Sequence, residues 1–508
     1  MRTAARRARF VAQARGRRAR MDQSQAPVLE ALAAFHANPL TVFTPPGHKQ
    51  GRGADPRVLA VLGADVFRAD VLASGGLDDR TDSRGILPHA QALMAEAVGA
   101  EHTFFSTCGS SLSVKAAMLS VAGPHEELLV GRDAHKSVVA GLILAGIRPV
   151  WVDPSWDADL HLAHPPRAEA FRAALERHPD VKGALVTSPT PYGTCADLAG
   201  IAEVCHAAGK PLIVDEAWGA HLPFHPDLPQ WAMDAGADVC VTSVHKMGSA
   251  LEQSSVFHLG GDLVAPDTLK QREDLLGTTS PSTLIYAALD GWRRQMVQHG
   301  RELYGAALAL AADVRERIDA FDGLHVHGRE DFCGPDLAAD LDPLQVIVDV
   351  SALGTTGYRA GDWLRSYHQL TLHVCDHRRI SAQLTHADDA TTADALLHGL
   401  RELVAAAPTL RPATPVSVPD PGGLRLEQAD LPRDAFFGPT EQVPLEKASG
   451  RIAAEMLTPY PPGIPAVLPG ERLNEAVLDY LRTGLDAGML VPDSADPDLA
   501  TVKVAREP

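Results

Sequence analysis

Two short stretches decide the fold of this chain: Val214-Asp215-Glu216-Ala217 and, further along, Ser243-Val244-His245-Lys246. Each begins where a short apolar run ends and polar, reactive side chains take over. Apolar runs of this length are typical of parallel strands that are covered on both faces. Ligands of open α/β sheets bind outside the carboxyl ends of such strands. The sequence therefore predicts that Asp215 and Lys246 meet in one crevice.

An amine and a carboxylate in one crevice are the two groups that pyridoxal phosphate (PLP) requires. Lys246 would form the Schiff base, because burial at a strand end helps a lysine to lose its proton. Asp215 would meet the pyridine nitrogen and keep the ring cationic. A lone lysine is usually a surface residue and a lone acid can be a helix cap. The shared position after two strands is what favours a catalytic pair.

A phosphate group needs backbone N–H groups and hydroxyls at the start of a helix. Gly109, Ser110 and Ser111 provide both immediately before an apolar helical pattern, although serine N-caps would give the same signal. Ser243 and His245 could add further phosphate contacts. His135 opens the next predicted helix, where it could stack on the cofactor ring or simply cap the helix.

Composition excludes several classes of function. A formal net charge of −18 argues against a nucleic-acid partner, and no apolar run approaches the roughly 20 residues of a membrane span. Six cysteines without a CxxC pair indicate reduced thiols and a cytoplasmic protein. His325 and His327 alternate on a strand-like stretch, but a metal site would need partners that the sequence does not reveal, so no metal is predicted.

The first twenty residues hold eight arginines and no acid. One interpretation is a transit peptide, since these are rich in arginine and poor in acids. The interpretation that we favour is a disordered tail, or upstream sequence that precedes a true start at Met21.

Alternating helical and strand patterns between residues 86 and 250 predict an α/β fold with a mostly parallel sheet. The 508 residues are too many for one ordinary domain. The predicted units are a disordered basic tail and N-terminal segment (1–37), a large cofactor-binding domain (38–300), a small α/β domain (301–407), a proline-rich linker (408–423) and a C-terminal module (424–508).

Several motifs together resemble the PLP-dependent ornithine/lysine/arginine decarboxylases, over roughly residues 38–475. They are Thr44-Pro-Pro-Gly-His-Lys49, Phe104-Phe-Ser-Thr-Cys-Gly-Ser-Ser111, Arg132-Asp-Ala-His-Lys-Ser137, Ser188-Pro-Thr-Pro-Tyr-Gly193, Val214-Asp-Glu-Ala217, Ser243-Val-His-Lys246, Thr278-Thr-Ser-Pro-Ser282 and Pro459-Tyr-Pro-Pro-Gly-Ile-Pro465. The resemblance is to the short bacterial forms, which lack a receiver-like domain. It implies the fold type I of aspartate aminotransferase, with a large sheet of the seven-stranded type, a smaller α/β domain and a C-terminal α+β module.

The resemblance also implies roles for individual residues. Lys246 would carry PLP, Asp215 would face its ring nitrogen, His135 would stack on the ring and Ala217 would pack against it. The implied phosphate contacts are Gly109, Ser110, Ser111, Ser243 and His245, with Thr279 and Ser280 reaching the phosphate of a neighbouring subunit. Active sites of this family lie at a dimer interface, so a homodimer or an assembly of dimers is implied.

The implied reaction is decarboxylation of arginine, lysine or ornithine to an amine and CO₂, a step of polyamine biosynthesis. Lys246 or His245 would return a proton to the substrate. Asp78, Asp79 and Glu455 are possible partners for the distal cation of the substrate.

Three departures from the family pattern keep other outcomes open: Cys108 stands where Asn is frequent, Trp218 where His is frequent and His373 where Glu is frequent. The enzymatic alternative is a PLP-dependent aminotransferase or O₂-dependent oxidase acting on a basic amino acid. The non-enzymatic alternative, a ligand-sensing regulator, would need a DNA-binding module, and neither terminus has a helix-turn-helix pattern.

Overall fold

The computed structural model describes residues 20–37, 41–73, 77, 85–419, 421–460 and 463–506. Most of the arginine-rich start lies outside these ranges, and so do Asp78 and Asp79. Within the described ranges, no helix is both long enough and apolar enough to span a membrane.

The secondary structure alternates as the sequence predicted, and the elements are numbered here in chain order. The strands are β1 (His102–Ser106), β2 (Glu127–Gly131), β3 (Arg148–Val152), β4 (Ser155–Asp157), β5 (Leu162–His164), β6 (Ala184–Thr187), β7 (Thr194–Cys195), β8 (Leu212–Asp215), β9 (Val239–Ser243), β10 (Ser255–Leu259), β11 (His325–His327), β12 (Asp340–Leu341), β13 (Gln345–Asp349), β14 (Val374–Cys375), β15 (Arg379–Gln383), β16 (Glu427–Gln428), β17 (Thr440–Pro444), β18 (Glu471–Arg472) and β19 (Thr501–Ala505). The α-helices are α1 (Pro27–Ala37), α2 (Pro56–Leu62), α3 (Ala64–Ala69), α4 (Ile86–Val98), α5 (Gly109–Val121), α6 (Lys136–Ala145), α7 (Ala168–Arg177), α8 (Leu198–Ala207), α9 (Ala232–Ala235), α10 (Val244–Met247), α11 (Pro266–Leu276), α12 (Thr283–Asp319), α13 (Arg329–Phe332), α14 (Gly357–His368), α15 (Ala390–Ala406), α16 (Pro421–Leu424), α17 (Pro432–Phe437) and α18 (Glu475–Ala487).

A seven-stranded sheet of order β1-β10-β9-β8-β6-β2-β3 forms the centre of the large domain. Strands β9, β8, β6, β2 and β3 are parallel to one another, and β10 runs antiparallel to both β9 and β1. Alternate residues enter opposite layers: Leu129 lies in one buried cluster, and Leu128 and Val130 lie in the other. The predicted α/β fold with strands covered on both faces is therefore confirmed.

Helix α12 crosses the domain boundary that the sequence placed at residue 300. Its first half is buried on several sides, including Ile285, Tyr286 and Trp292, so its sequence lacks the amphipathic period that identifies a surface helix. Helix α1 lies before the boundary expected at residue 38. It nevertheless packs with the large domain, since Val28 and Leu32 are buried in the main cluster.

The remaining units are built differently from the large domain. The small domain has a four-stranded antiparallel sheet of order β11-β13-β15-β14, packed by α14 and α15. The C-terminal module pairs β16 with β18 and β17 with β19 and has a buried cluster of its own, which includes Leu457, Val477 and Leu481.

Candidate active site

Asp215 and Lys246 lie at the carboxyl ends of neighbouring parallel strands. Asp215 is the last residue of β8 and pairs in register with Val241 of β9. Lys246 lies in α10, the single turn that follows β9. The chain therefore brings together the two groups that the sequence analysis selected.

Burial sets the charge behaviour of this pair. It lowers the pKa of Lys246 to about 8, although the nearby Asp215 carboxylate opposes the change. Burial also raises the pKa of Asp215, while Lys246 and the Ala217 N–H counteract it. The Ala217 N–H donates a hydrogen bond to Asp215 Oδ1 at 3.3 Å. An amine with a pKa near 8 is partly neutral at physiological pH, as a nucleophilic lysine must be.

Trp218 and His373 enclose the amine. Lys246 Nζ lies 4.0 Å from the centroid of the Trp218 ring, and the Trp218 and His373 rings are 4.3 Å apart. Burial, followed by repulsion from Lys246, lowers the pKa of His373 to about 4, so this imidazole is neutral at pH 7. Two of the three departures from the family pattern therefore lie directly at the lysine.

Gln383 is a site residue that sequence reasoning missed. It lies at the end of β15 in the small domain, and its Nε2 donates a hydrogen bond to the Lys246 carbonyl. A glutamine far along the chain carries no local motif, so only the packing of the two domains reveals this contact.

The serines predicted to bind phosphate converge at the start of α5. Ser243 Oγ donates a hydrogen bond to Ser110 Oγ at 2.6 Å, across 133 residues of sequence. Gly109 adopts a φ of +75°, a conformation that side chains disfavour, and its N–H donates to the Gln253 carbonyl at 2.9 Å. Ser111 lies in the same helical turn and is exposed. His245 contacts the Ser254 carbonyl through Nδ1 at 3.1 Å, and burial lowers its pKa.

His135 caps α6 and contacts the C-terminal module. The Ser137 N–H donates to His135 Nδ1 at 3.2 Å. Gly463 lies against the other edge of the ring, where an added Cβ would be 3.3 Å from His135 Nε2. Burial lowers the pKa of His135 to about 4, so the ring is neutral at pH 7. A neutral ring that is held in position at its edges is suited to stacking on the ring of a cofactor.

The remaining predicted residues lie in three different places. Thr279 and Ser280 are exposed at the surface, and Ala217 is buried beside Asp215. Glu455, proposed as a substrate contact, accepts hydrogen bonds from the Lys503 and Ala495 N–H groups inside the C-terminal module. These contacts give Glu455 a structural role, because both carboxylate oxygens already bind backbone amides.

A cavity of about 270 Å³ lies between the large domain, the small domain and the C-terminal module. Its wall includes Asp133, which precedes His135 by two residues, and Thr190 and Tyr192, which follow β6; Lys246 and Asp215 are not part of the wall. Asp133 is buried, and neither carboxylate oxygen has a hydrogen-bond partner among the described residues. Burial raises the pKa of Asp133 to about 7.

The assembled groups fit PLP. Lys246 provides an amine for the aldehyde, buried Asp215 provides a carboxylate for the ring nitrogen, and the start of α5 provides N–H groups and hydroxyls for the phosphate. The set arises from four separate loops of one sheet edge, so a single motif could not have demonstrated it.

Comparison with known proteins matches most of the chain. The profile described as "Orn/Lys/Arg decarboxylase, major domain" matches residues 26–333, and that of the corresponding C-terminal domain matches residues 425–493. An arginine decarboxylase of Halalkalibacterium halodurans is 39% identical over 96% of this chain and 98% of its own. A lysine decarboxylase of Pseudomonas aeruginosa is 28% identical over 90% of this chain and 75% of its own. The solved constitutive lysine decarboxylase of E. coli has a TM-score of 0.80 at 22% identity, covering 95% of this chain and 82% of its own.

Proposed function

We propose that this chain, which belongs to the Orn/Lys/Arg decarboxylase family, removes CO₂ from arginine with PLP held at Lys246. Members of this family are decarboxylases of basic amino acids, and the chain is such an enzyme. The observation that carries the proposal is the convergence of buried Asp215 and Lys246 at the ends of β8 and β9.

Some residues of the site would bind the cofactor, and others would transfer protons. PLP, when bound, supplies the electron sink for the bond that breaks. Asp215 offers a buried carboxyl group for the ring nitrogen, His135 offers a flat neutral face, and Ser110 with Ser243 offers hydroxyls at a helix start. Lys246, whose pKa is about 8, can take up and return a proton near neutral pH, and His245 is the other candidate donor.

We favour arginine over lysine and ornithine as the substrate for two reasons: the sequence similarity to an arginine decarboxylase and the presence of Asp133 in the wall of the cavity. The arginine decarboxylase compared above is 39% identical to this chain, against 28% for the lysine decarboxylase. Asp133 is one of the residues that line the cavity next to the loop that carries His135, and its buried carboxylate has no hydrogen-bond partner among the described residues. A guanidinium can donate two parallel hydrogen bonds to such a carboxylate, which an ammonium cannot.

A substrate panel tests the proposal. Purified enzyme with PLP would be given arginine, lysine and ornithine, and the products would be identified by mass. Agmatine with one CO₂ per arginine, and a kcat/KM at least tenfold above that for lysine, is the expected result. Preference for lysine would overturn the substrate, and a keto acid that keeps its carboxylate would overturn the reaction.

We also propose a homodimer in the cytoplasm. Helices α2 and α3 have no buried residue, α2 exposes Val61 and Leu62, and Phe43, earlier in the chain, is 91% exposed. Such an apolar surface fits a partner subunit. All six cysteines are free thiols, as a reducing compartment favours. Light scattering should give twice the chain mass, and L62E should shift the enzyme towards monomer and lower its activity.

A further inference from the structure

Two histidines and a carboxylate converge in the small domain, away from the residues assigned to the reaction. The nitrogens of His325 and His327 and the carboxylate of Asp331 all lie within 4.8 Å of one another. His325 Nε2 is 3.0 Å from Asp331 Oδ2, and His327 Nδ1 is 3.5 Å from the same oxygen. The sequence showed the alternating histidines, and the fold adds Asp331 because α13 follows β11 directly.

The spacing suits a tetrahedral metal ion. Zn²⁺ bonds to nitrogen and oxygen of about 2.0–2.2 Å place neighbouring ligand atoms roughly 3.3–3.6 Å apart. The separation of His327 Nδ1 from Asp331 Oδ2, 3.5 Å, lies in that range, and that of His325 Nε2 from the same oxygen, 3.0 Å, is shorter because these two atoms are hydrogen-bonded. Small rotations of His325, whose side chain is 51% exposed, could adjust the remaining distance, that between the His325 and His327 nitrogens.

A buried nitrogen is left without a hydrogen bond at the centre of this cluster. His327 is 2% exposed, and its Nδ1, 3.5 Å from Asp331 Oδ2, has no hydrogen-bond partner among the described residues. Its other nitrogen, Nε2, accepts a hydrogen bond from Arg379 Nε at 3.4 Å and lies 3.7 Å from Asp349 Oδ2. The neutral ring therefore carries its proton on Nδ1, and metal binding at Nδ1 would move that proton to Nε2, on the side of Asp349. The outer contacts therefore use Nε2 and leave Nδ1 directed at the cluster.

The surrounding carboxylates resemble the outer layer of a metal site. His325 Nδ1 lies 3.5 Å from Asp319 Oδ1, so each imidazole has one nitrogen towards Asp331 and the other towards a second carboxylate. Outer carboxylates of this kind orient histidine ligands and increase their basicity. The Gly328 N–H, at 2.9 Å from Asp331 Oδ2, fixes the shared carboxylate.

From this geometry we propose that His325, His327 and Asp331 form a site for a borderline divalent metal such as Zn²⁺, with water completing the coordination. Two imidazoles favour Zn²⁺, Co²⁺ or Ni²⁺ over Mg²⁺ or Ca²⁺, which prefer oxygen ligands. The ion would join β11 to α13 within the small domain and would therefore act on stability rather than on the reaction.

Zinc binding to the PLP-loaded full-length enzyme tests the proposal. After chelator treatment, the enzyme would be titrated with ZnCl₂ against a chromophoric chelator, and bound zinc would be counted by mass spectrometry. One Zn²⁺ per chain is expected, together with a rise in the unfolding temperature. H325Q and D331N should weaken binding at least tenfold and abolish that rise.

The matched control is H178Q. His178 also pairs with a carboxylate, Glu127, with Nδ1 3.6 Å from Oε2, but among the described residues it belongs to no group of three potential metal ligands. This variant should bind Zn²⁺ as the unaltered enzyme does. Because His325 is half-exposed, H325Q tests the site even if substitution of buried His327 prevents folding. Failure of the unaltered enzyme to compete for Zn²⁺, or binding by H325Q and D331N equal to that of H178Q, would overturn the proposal.

Discussion

At the scale of single residues, the site depends on a lysine that is kept close to its neutral form. Burial lowers the pKa of Lys246 to about 8, and the attraction of Asp215 limits the shift. Trp218, 4.0 Å from Nζ, can still stabilise the cation through its ring face. A nucleophilic amine and an anchored cation are therefore both available near neutral pH.

The pH dependence of PLP uptake should report this lysine. Only the neutral amine reacts, so the rate of uptake by the apoenzyme should rise with pH, with a midpoint near 8, and level off above it. Stopped-flow absorbance would measure the rate. K246A should hold no covalent cofactor and should lose at least about 10²-fold in kcat. A midpoint near the ordinary lysine value of about 10.4 would contradict the effect of burial.

Asp133 should act mainly on substrate affinity. Its carboxyl has a pKa of about 7 in the free enzyme, so it is charged above that pH and neutral below it. A cationic substrate needs the charged form, and kcat/KM for arginine should therefore rise as the pH increases through about 7. D133N should raise KM at least tenfold and flatten this limb of the pH profile.

The control for D133N is D153N. Asp153 also lines the cavity, but it is already paired with Arg425. The KM of D153N should stay within about twofold of the original, as expected for a partly exposed ion pair. Equal effects of the two substitutions would show that Asp133 has no special part in binding.

At the scale of elements, the start of α5 depends on a backbone conformation that only glycine adopts easily. Gly109 has a φ of +75° at the first residue of a 13-residue helix, next to the Ser110–Ser243 pair. A side chain in the left-handed region costs about 1–2 kcal/mol. Relief of that strain would shift the backbone at the start of this helix, where the phosphate would bind.

G109A should therefore weaken PLP binding by about tenfold, the equivalent of roughly 1.4 kcal/mol. Equilibrium dialysis of the apoenzyme with PLP would measure the change. Gly209 also has a positive φ, +66°, in open space far along the chain from this loop, so G209A introduces the same strain away from the site. G209A should lower stability and leave PLP affinity intact.

At the scale of the whole molecule, one arginine joins the C-terminal module to the catalytic loop. Arg132, three residues before His135, donates to the Pro465 and Ala466 carbonyls at 2.9 and 3.1 Å. It also pairs with Glu471 at 3.1 Å, and the Glu471 side chain is only 1% exposed. Docking of the module and placement of His135 are therefore coupled.

R132A should release the C-terminal module. Removing the cation leaves Glu471 buried without its partner, which typically costs about 3–5 kcal/mol. Limited proteolysis should cut between the small domain and the module much faster than in the original enzyme, and kcat should fall. R472A removes an arginine from an exposed pair with Glu427, and its effect should stay below about 1 kcal/mol. Equal proteolysis of both variants would show that the contact does not hold the module.

The sequence by itself predicted the α/β class, its mostly parallel sheet and the proximity of Asp215 to Lys246. These features are local: apolar runs, helix starts and residues that follow strand ends can be recognised within a few positions. Helix α1 and the first half of α12 were harder to predict, because they are fixed by burial against distant parts of the chain.

Only the tertiary structure decided which distant side chains share a space. The contacts of Gln383 with Lys246 and of Gly463 with His135 have no common local signal. They arise where the small domain and the C-terminal module pack against the large domain, since packing depends on the shapes of whole surfaces. The charge and reactivity of a residue such as Lys246 depend on its neighbours in space, because burial and nearby carboxylates shift its pKa.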